Sequence, residues 1–427
     1  KRIRLDQRRT SERLIMEAIS TENTNTFLAN LKPSKLSANS AKMAQLAESI
    51  ALPTTRNEKW KYTRLGKIKR ATFNTPISNQ LDSISKYSIL DCPTLVFVNG
   101  IYNESLSSLN GTEANVSLYS TDNQLNASAI NEDDPFEAMN IAYLTGGAEI
   151  SISKGKVMST PLQVININTQ DNTNVNLRLT VTAEANTKGE ILVSNFGSST
   201  GSFTNLAIET KLGQNAHLKI NKLQYDSSDN FTISNEAVSQ DRDSVFTINT
   251  FTLNGGLVRN NLYISVDGEN CESNLYGAYI LKGIQHVDNH TVVDQRMPNC
   301  ESNELYKGVM DDKSTAVFNG KVFVRKDAQK VNAFQSNGNV LLSDDATVNS
   351  KPELEIYADD VKCSHGSTTG QLDEEAVFYL RTRGLSENSA RQLLVTAFIE
   401  DTFEHINNED IVEYIHELIK DRFGWQI

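Results

Sequence analysis

The 427-residue sequence is poor in cross-linking and metal-binding residues. It has four cysteines (Cys92, Cys271, Cys300 and Cys363), far apart and with no C-x-x-C pair. That spacing excludes a zinc ribbon and a disulfide framework. With no apolar signal segment in view, it points to a reducing, cytoplasmic setting. Apolar runs reach only a few residues, as at Ile191–Val193, too short for a transmembrane helix. Positive charge is also in deficit: 41 Lys+Arg against 53 Asp+Glu leaves −12. That balance argues against general nucleic-acid binding and against a basic membrane-facing patch. The common enzyme signatures are absent: no P-loop, no G-x-G-x-x-G after a strand, no G-x-S-x-G and no H-E-x-x-H. Carboxylates are plentiful, but sequence alone does not pair them as a glycosidase dyad.

The length allows two to three domains, or one long repetitive domain flanked by smaller ones, with a core that needs no disulfide or metal. Residues 1–15 carry six basic side chains (Lys1, Arg2, Arg4, Arg8, Arg9, Arg13) and precede Met16. They read as an extension or tag without a functional role, and Met16 as a natural start. Residues 16–70 read as helical, with Met43, Leu46, Ala47 and Ile50 on one stripe and Pro53 as the stop. Residues 71–150 are mixed. Leu95–Val98 reads as a strand leading into the Asn99-Gly100 turn.

From about residue 155 to 360, short runs alternate apolar and polar residues, as at Val175, Leu177, Leu179, Val181 and at Leu262, Ile264, Val266. The runs begin near Val175, Ile191, Leu206, Leu218, Ile233, Phe246, Leu262 and Leu275, at steps of 12 to 16 residues. No helical stripe interrupts them. A β-solenoid explains this length and monotony best, ahead of a large sandwich or a propeller. A solenoid must cap its ends, and helices on both flanks would serve. The last 60 residues read as a three-helix unit. Asp373 and acidic neighbours open the first helix, and Arg381, Arg383 and Gly384 close it. Ser386 caps the second, with a stripe at Ala390, Leu393, Leu394, Ala397 and Phe398; Ile411, Tyr414, Ile415, Leu418 and Ile419 mark the third.

Two places can carry chemistry. His286, Asp288 and His290 alternate along a strand and share a face. That makes them either metal ligands or, as is commoner for polar strand residues, a solvated or interface face. Asp294 lies too far along to complete a set. The second place is Lys362-Cys363-Ser364-His365-Gly366, where the β region meets the C-terminal helices. Cys363 and His365, two apart on an extended segment, can reach one soft metal such as iron. Lys362 and the imidazole are expected to lower the Cys363 pKa. The bland alternative is a half-buried cysteine beside a histidine bonded to backbone. One chain supplies two or three ligands here, whereas an iron–sulfur cluster wants four, so a second chain would have to supply the rest.

The residues around this segment resemble the SufB/SufD family of iron–sulfur cluster assembly proteins. The resemblance runs through Lys351–Gly366 and Gln371–Gly384, Phe318–Arg325, Asn332–Ser336 and Leu341–Asp345. Upstream, Pro53–Thr63 is similar to the family's Trp-Lys-Tyr signature. Glu304–Gly308 and Cys363–Gly366 read like the SufD branch. The resemblance implies a mainly β protein: a right-handed parallel β-helix over 151–366, a helical and mixed region over 16–150, and C-terminal helices over 367–427. It implies a non-catalytic scaffold that pairs with a SufB-like subunit and binds a SufC-like ATPase through residues 373–427, with Arg383, Gly384, Leu394 and Phe398 as candidate contacts. Cys363 and His365 then become the cluster-assembly and metal residues, shared with the partner chain. The cofactor implied is a transient iron–sulfur cluster or iron at the subunit interface, with none held tightly by the isolated chain. A homodimer is a further expectation in isolation; nucleic acid and membrane are not expected partners. The alternatives are a SufB-type scaffold that accepts sulfur itself and a β-helix carbohydrate-active enzyme.

Overall fold

The computed structural model describes residues 27–127 and 134–424. The basic stretch 1–15 and Met16 lie outside them. Nineteen strands, numbered in chain order, form two sheets. The even sheet runs from β4 (Gly146–Ile152) to β18 (Thr347–Ile356), with β3 (Asn115–Leu118) at its edge. The odd sheet runs from β5 (Leu162–Asn168) to β19 (Lys362–Gln371), with β1 (Thr94–Val98) and β2 (Ile101–Tyr102) at its edge. From β4 onward each strand pairs in parallel with the strand two further along the chain. The chain therefore climbs as a solenoid, laying one strand of each coil in each sheet. Leu257 lies beside His286, His286 beside Thr315 and Thr315 beside Thr347, so the coil is 29, 29 and then 32 residues. That is twice the step of apolar runs in the sequence.

The turn chemistry explains the regularity. Asn186, Asn215, Asp243, Asn270, Asn299 and Lys330 all have φ between 54° and 60°. Each stands two residues before an odd-numbered strand. Asn and Asp tolerate this left-handed conformation better than other side-chain-bearing residues. They also stack: Asn215 Nδ2 donates to Asn186 Oδ1 at 2.9 Å, and Asn270 Nδ2 to Asp243 Oδ1 at 3.0 Å.

The core has three compartments. Inside the solenoid lie Leu177, Leu179, Val181, Leu262, Ile264 and Val266, as the alternation predicts. Outside the even sheet, Phe203, Phe231, Ile233 and Leu257 pack against the N-terminal region. Among the described residues of that region are the helices α1 (Ser40–Ser49), α2 (Gly66–Arg70) and α3 (Pro135–Ala142). Outside the odd sheet, Ile165, Leu192, Leu223, Phe251 and Ile280 pack against the C-terminal helices α5 (Glu387–Ile399) and α6 (Glu409–Phe423); α4 (Glu374–Thr382) stands beside α5, tied to it by Glu374 and Arg391.

Several expectations change. The described part of 16–70 is not one helical segment. Beyond α1 it is irregular apart from a single turn at Glu58–Trp60 and the short α2, because its side chains are anchored to the even sheet. The apolar stripe of α5 is rotated. Ala390, Val395 and Ile399 are buried, whereas Leu393 and Ala397 are exposed. The helices α5 and α6 share their core with the sheet they cover. The caps of α4 and α5 follow the sequence: Asp373 accepts from Glu375 N and Ala376 N, Ser386 from Ser389 N, and Gly384 has φ +100°.

Most consequential, the helices flank the solenoid and do not cap it. The first coils are closed by antiparallel strands. β1 turns into β2 through Asn99 and Gly100 (φ 53° and 74°), and β3 runs antiparallel to β4. At the other end β18 and β19 have strands on one side only.

Replacing Asn299 with Ala should lower stability by about 1 kcal/mol through the left-handed turn. Asn299→Gly should be close to neutral. Urea unfolding midpoints of the two variants test this.

Candidate functional site at the open end of the solenoid

β19 places Cys363 and His365 on its inward face. Cys363 packs against the solenoid interior, and alternation puts His365 on the same side. Cys363 is opposite Ala333 and His365 opposite Gln335 on β17 (Asn332–Leu341). Cys363 is half-buried, and His365 is exposed because no further coil covers it. Burial pushes the Cys363 thiol up, although a hydrogen bond from the Ala333 backbone pulls the other way. This reverses the expectation of a lowered pKa. Strand alternation sends Lys362 to the opposite face, where its charge is no neighbour of the sulfur. Among the described residues no three His, Cys, Asp or Glu side chains gather closely enough to hold a metal ion. Cys363 and His365 offer soft donors that only part-fill a coordination shell.

Behind them the solenoid interior is polar. Glu304 on β15 (Glu301–Met310), opposite Gln335, is 5% exposed. It accepts from Thr291 Oγ1 at 2.5 Å and from Gln335 Nε2 at 2.6 Å. Burial pushes its carboxyl up to about 7. A second polar file reaches the open end, where Ser367 Oγ donates to Ser350 Oγ at 2.7 Å and Ser350 Oγ to Asn337 Oδ1 at 2.8 Å. Deeper still, Lys222 and Glu236 form an ion pair across the interior at 2.5 Å, both 2% exposed.

His286, Asp288 and His290 on β14 (His286–Gln295) face outward from the even sheet, but they are covered. The Trp60–Thr63 segment lies over them. The Thr63 hydroxyl donates to Asp288 and sits 2.9 Å from His286 Nε2. Arg259 pairs with Asp288, and its guanidinium lies 3.8 Å over the Trp60 ring. His290 Nε2 is 3.2 Å from Asp288. Burial alone would raise the Asp288 carboxyl. Arg259, His290 and Thr63 outweigh it and hold the group far below the usual carboxylate range. Burial pushes both histidines down despite Asp288. The triplet is thus an internal clamp for the N-terminal region, satisfied by an arginine and a threonine.

The remaining candidates are dispersed. Cys271 and Cys300 stand on neighbouring coils, 1% and 0% exposed, with Cys271 N donating to Cys300 Sγ at 3.4 Å. Arg383 caps α4 and bonds the Tyr379 hydroxyl at 3.1 Å. Phe398 packs toward Gly338 of the odd sheet and lies under Lys307, whose Nζ is 4.7 Å from the ring centroid. Leu394 is half-buried. The apolar residues open to solvent on these helices are instead Phe378, Tyr379 and Leu393, at 67%, 56% and 47%. Sequence reasoning gave Gln335 no role of its own. Its one signal was position: a polar residue on the inward face of a strand.

The fold and the site define the class: a parallel solenoid with flanking helices, one end sealed by antiparallel strands and one open end that bears Cys363 and His365. Comparison with known proteins narrows the class. The model of the "SUF system FeS cluster assembly, SufBD core domain" family matches residues 165–398. The "Iron-sulfur cluster assembly SufBD family protein slr0076" of Synechocystis is 33% identical over 389 residues, covering 85% of this chain and 86% of that protein. The "Iron-sulfur cluster assembly protein SufD" of Escherichia coli is 30% identical over 379 residues, covering 85% and 88%. The chain belongs to the SufBD family of iron–sulfur cluster assembly proteins.

Asp288→Asn should leave buried Arg259 without its counter-charge and cost about 3–5 kcal/mol at neutral pH. The folded pKa of Asp288 lies below its unfolded value of about 4. Its stabilisation is therefore complete above that pH and lost as pH falls toward the folded value. The gap between wild type and variant should narrow below about pH 4. Urea midpoints across that range measure it.

Proposed function

We propose that this chain is the SufD-type subunit of an iron–sulfur cluster assembly scaffold. The observation that carries this reading is the uncapped end. β18 and β19 present two adjacent rows of unpaired backbone N–H and C=O groups, a ready template for strands of another chain. A SufB-type subunit with a matching end satisfies both edges by extending both sheets. In the absence of that partner, a second copy of the chain is the natural occupant. Joining two open ends encloses Cys363 and His365 between subunits, where donors from the partner complete the ligand set.

Iron and sulfur are the cargo of this site. The Cys363 thiol gives up its proton when it takes iron, and its half-buried position keeps it un-ionised until then. The imidazole of His365, on the same inward face, supplies a neutral nitrogen donor. A sulfur-accepting role of the SufB type is disfavoured, since Cys271 and Cys300 are closed to an incoming donor protein. The relatives in the family are assembly proteins, in keeping with a scaffold that catalyses nothing alone.

ATP hydrolysis falls to a SufC-type partner, which docks on the C-terminal helices. Phe378, Tyr379 and Leu393 form the apolar patch that such a partner would cover. Because these helices also cover the odd sheet, a push on them is transmitted to the solenoid wall. Deleting residues 373–427 would strip that wall of its apolar cover and confound a binding test, so surface substitutions are the cleaner probe.

His365→Ala should abolish cluster assembly while leaving the complex intact by size exclusion with light scattering. Normal assembly in that variant would refute the site. Phe378→Glu combined with Leu393→Glu should weaken binding to the SufC-type ATPase by at least about tenfold without changing the melting temperature. Unchanged affinity in a calorimetric titration would place the ATPase elsewhere.

A further inference from the structure

Glu304, Gln335 and His365 occupy successive rungs of the odd sheet, in register, on the inward face. Adjacent rungs are about 4.8 Å apart, so the three side chains are neighbours in a file that ends at the opening. The middle member is held firmly. Gln335 is 4% exposed, and its Nε2 donates to Glu304 Oε2 at 2.6 Å. Glu304 is held in turn by the Thr291 hydroxyl from the opposite sheet. Across the interior, a Cβ at Gly320 would lie 2.1 Å from Gln335 Nε2, so only glycine there leaves room for the amide. With its nitrogen committed to Glu304, the amide has one atom left. Gln335 Oε1 is buried and has no hydrogen-bond partner, as is also true of Asn205 Oδ1, Asn249 Oδ1 and Gln295 Oε1; of these, Gln335 is the one on the rung next to the open end. A buried amide oxygen without a partner calls for a reason.

We infer that Gln335 is the positioning residue for His365: its Oε1 accepts one imidazole N–H and so fixes which ring nitrogen faces the opening. This rests on the reading that His365 takes part in cluster assembly. His365 is exposed and free to rotate toward that oxygen. With one ring N–H held inward, the other nitrogen keeps its lone pair for a soft cation. Metal-binding histidines are ordinarily oriented in this way by an acceptor behind them. Glu304 acts one step further back, by setting the direction of the amide.

The test uses the purified full chain with 15N-labelled histidine, at about pH 8.5, where imidazoles are neutral. The ratio of the two His365 tautomers should change at least about threefold between wild type and Gln335→Leu. Gln335→Asn, which keeps an amide but retracts it by one methylene, should shift the ratio in the same direction. It guards against misfolding of the leucine variant. An unchanged ratio in a folded variant overturns the inference. In cluster assembly with the partner subunits, Gln335→Leu should slow the rate about tenfold, within the range for orienting residues. A normal assembly rate in a folded Gln335→Leu chain would refute a positioning role for Gln335 in assembly. If His365→Ala assembles clusters normally, the functional reading falls while the tautomer shift still stands.

Discussion

The parallel, in-register backbone ladder is the constraint on which everything else in this molecule depends. Each coil satisfies its N–H and C=O groups on the coils before and after it. Such a stack has no internal reason to stop, and wherever it does stop, a full row of polar groups is left over in each sheet. At the first coils the chain resolves this with its own antiparallel strands, β1 to β4. At the last coil it does not, and there the family's Cys-Ser-His segment lies along β19. The unsatisfied end and the soft donors are therefore one feature: the last strand of the odd sheet carries both the open row of backbone groups and Cys363 with His365.

The two sheets are stiffened from outside. Apolar side chains on both outer faces are covered, one by the N-terminal region and the other by α5 and α6. On the N-terminal side a buried cation adds specificity. Arg259, between Asp288 and the Trp60 ring, ties a mostly irregular segment to a fixed place on β14. On the C-terminal side the cover is largely apolar.

The interior is mixed along the axis. Near the sealed end Leu, Ile and Val share it with a buried polar network of Asn166, Asn168, Asn195, Thr204 and Asp226. Toward the open end it admits Lys222 with Glu236, then Glu304 with Thr291 and Gln335, then Asn337 with Ser350 and Ser367. Nearly all these groups are paired. Polar groups shut inside a solenoid demand defined partners, so the last coils are more sharply specified than an apolar filling would make them. Two oxygens of these groups, Glu236 Oε2 and Gln335 Oε1, lack a partner, and Gln335 is the one beside the opening.

The sequence alone determined the repeating element and its period. Alternation at Val175–Val181 and Leu262–Val266 set which residues face inward, and the recurring Asn and Asp turns precede strands of the odd sheet. The family motifs around Cys363 and His365 were legible for the same reason: local order in an extended strand is linear order. Three things lay beyond it. The outward but buried state of His286, Asp288 and His290 depended on Trp60–Thr63, more than 220 residues earlier in the chain. The exposed flank of α5 at Leu393 depended on which side met the sheet, because that helix is apolar over most of its circumference. The alignment of Glu304, Gln335 and His365 depended on coil lengths of 31 and 30 residues, read between Glu304 and Gln335 and between Gln335 and His365. Lateral registry joins residues a coil apart through hydrogen bonds between backbones that carry no mark in the sequence. Only the folded stack decided which side chains became neighbours.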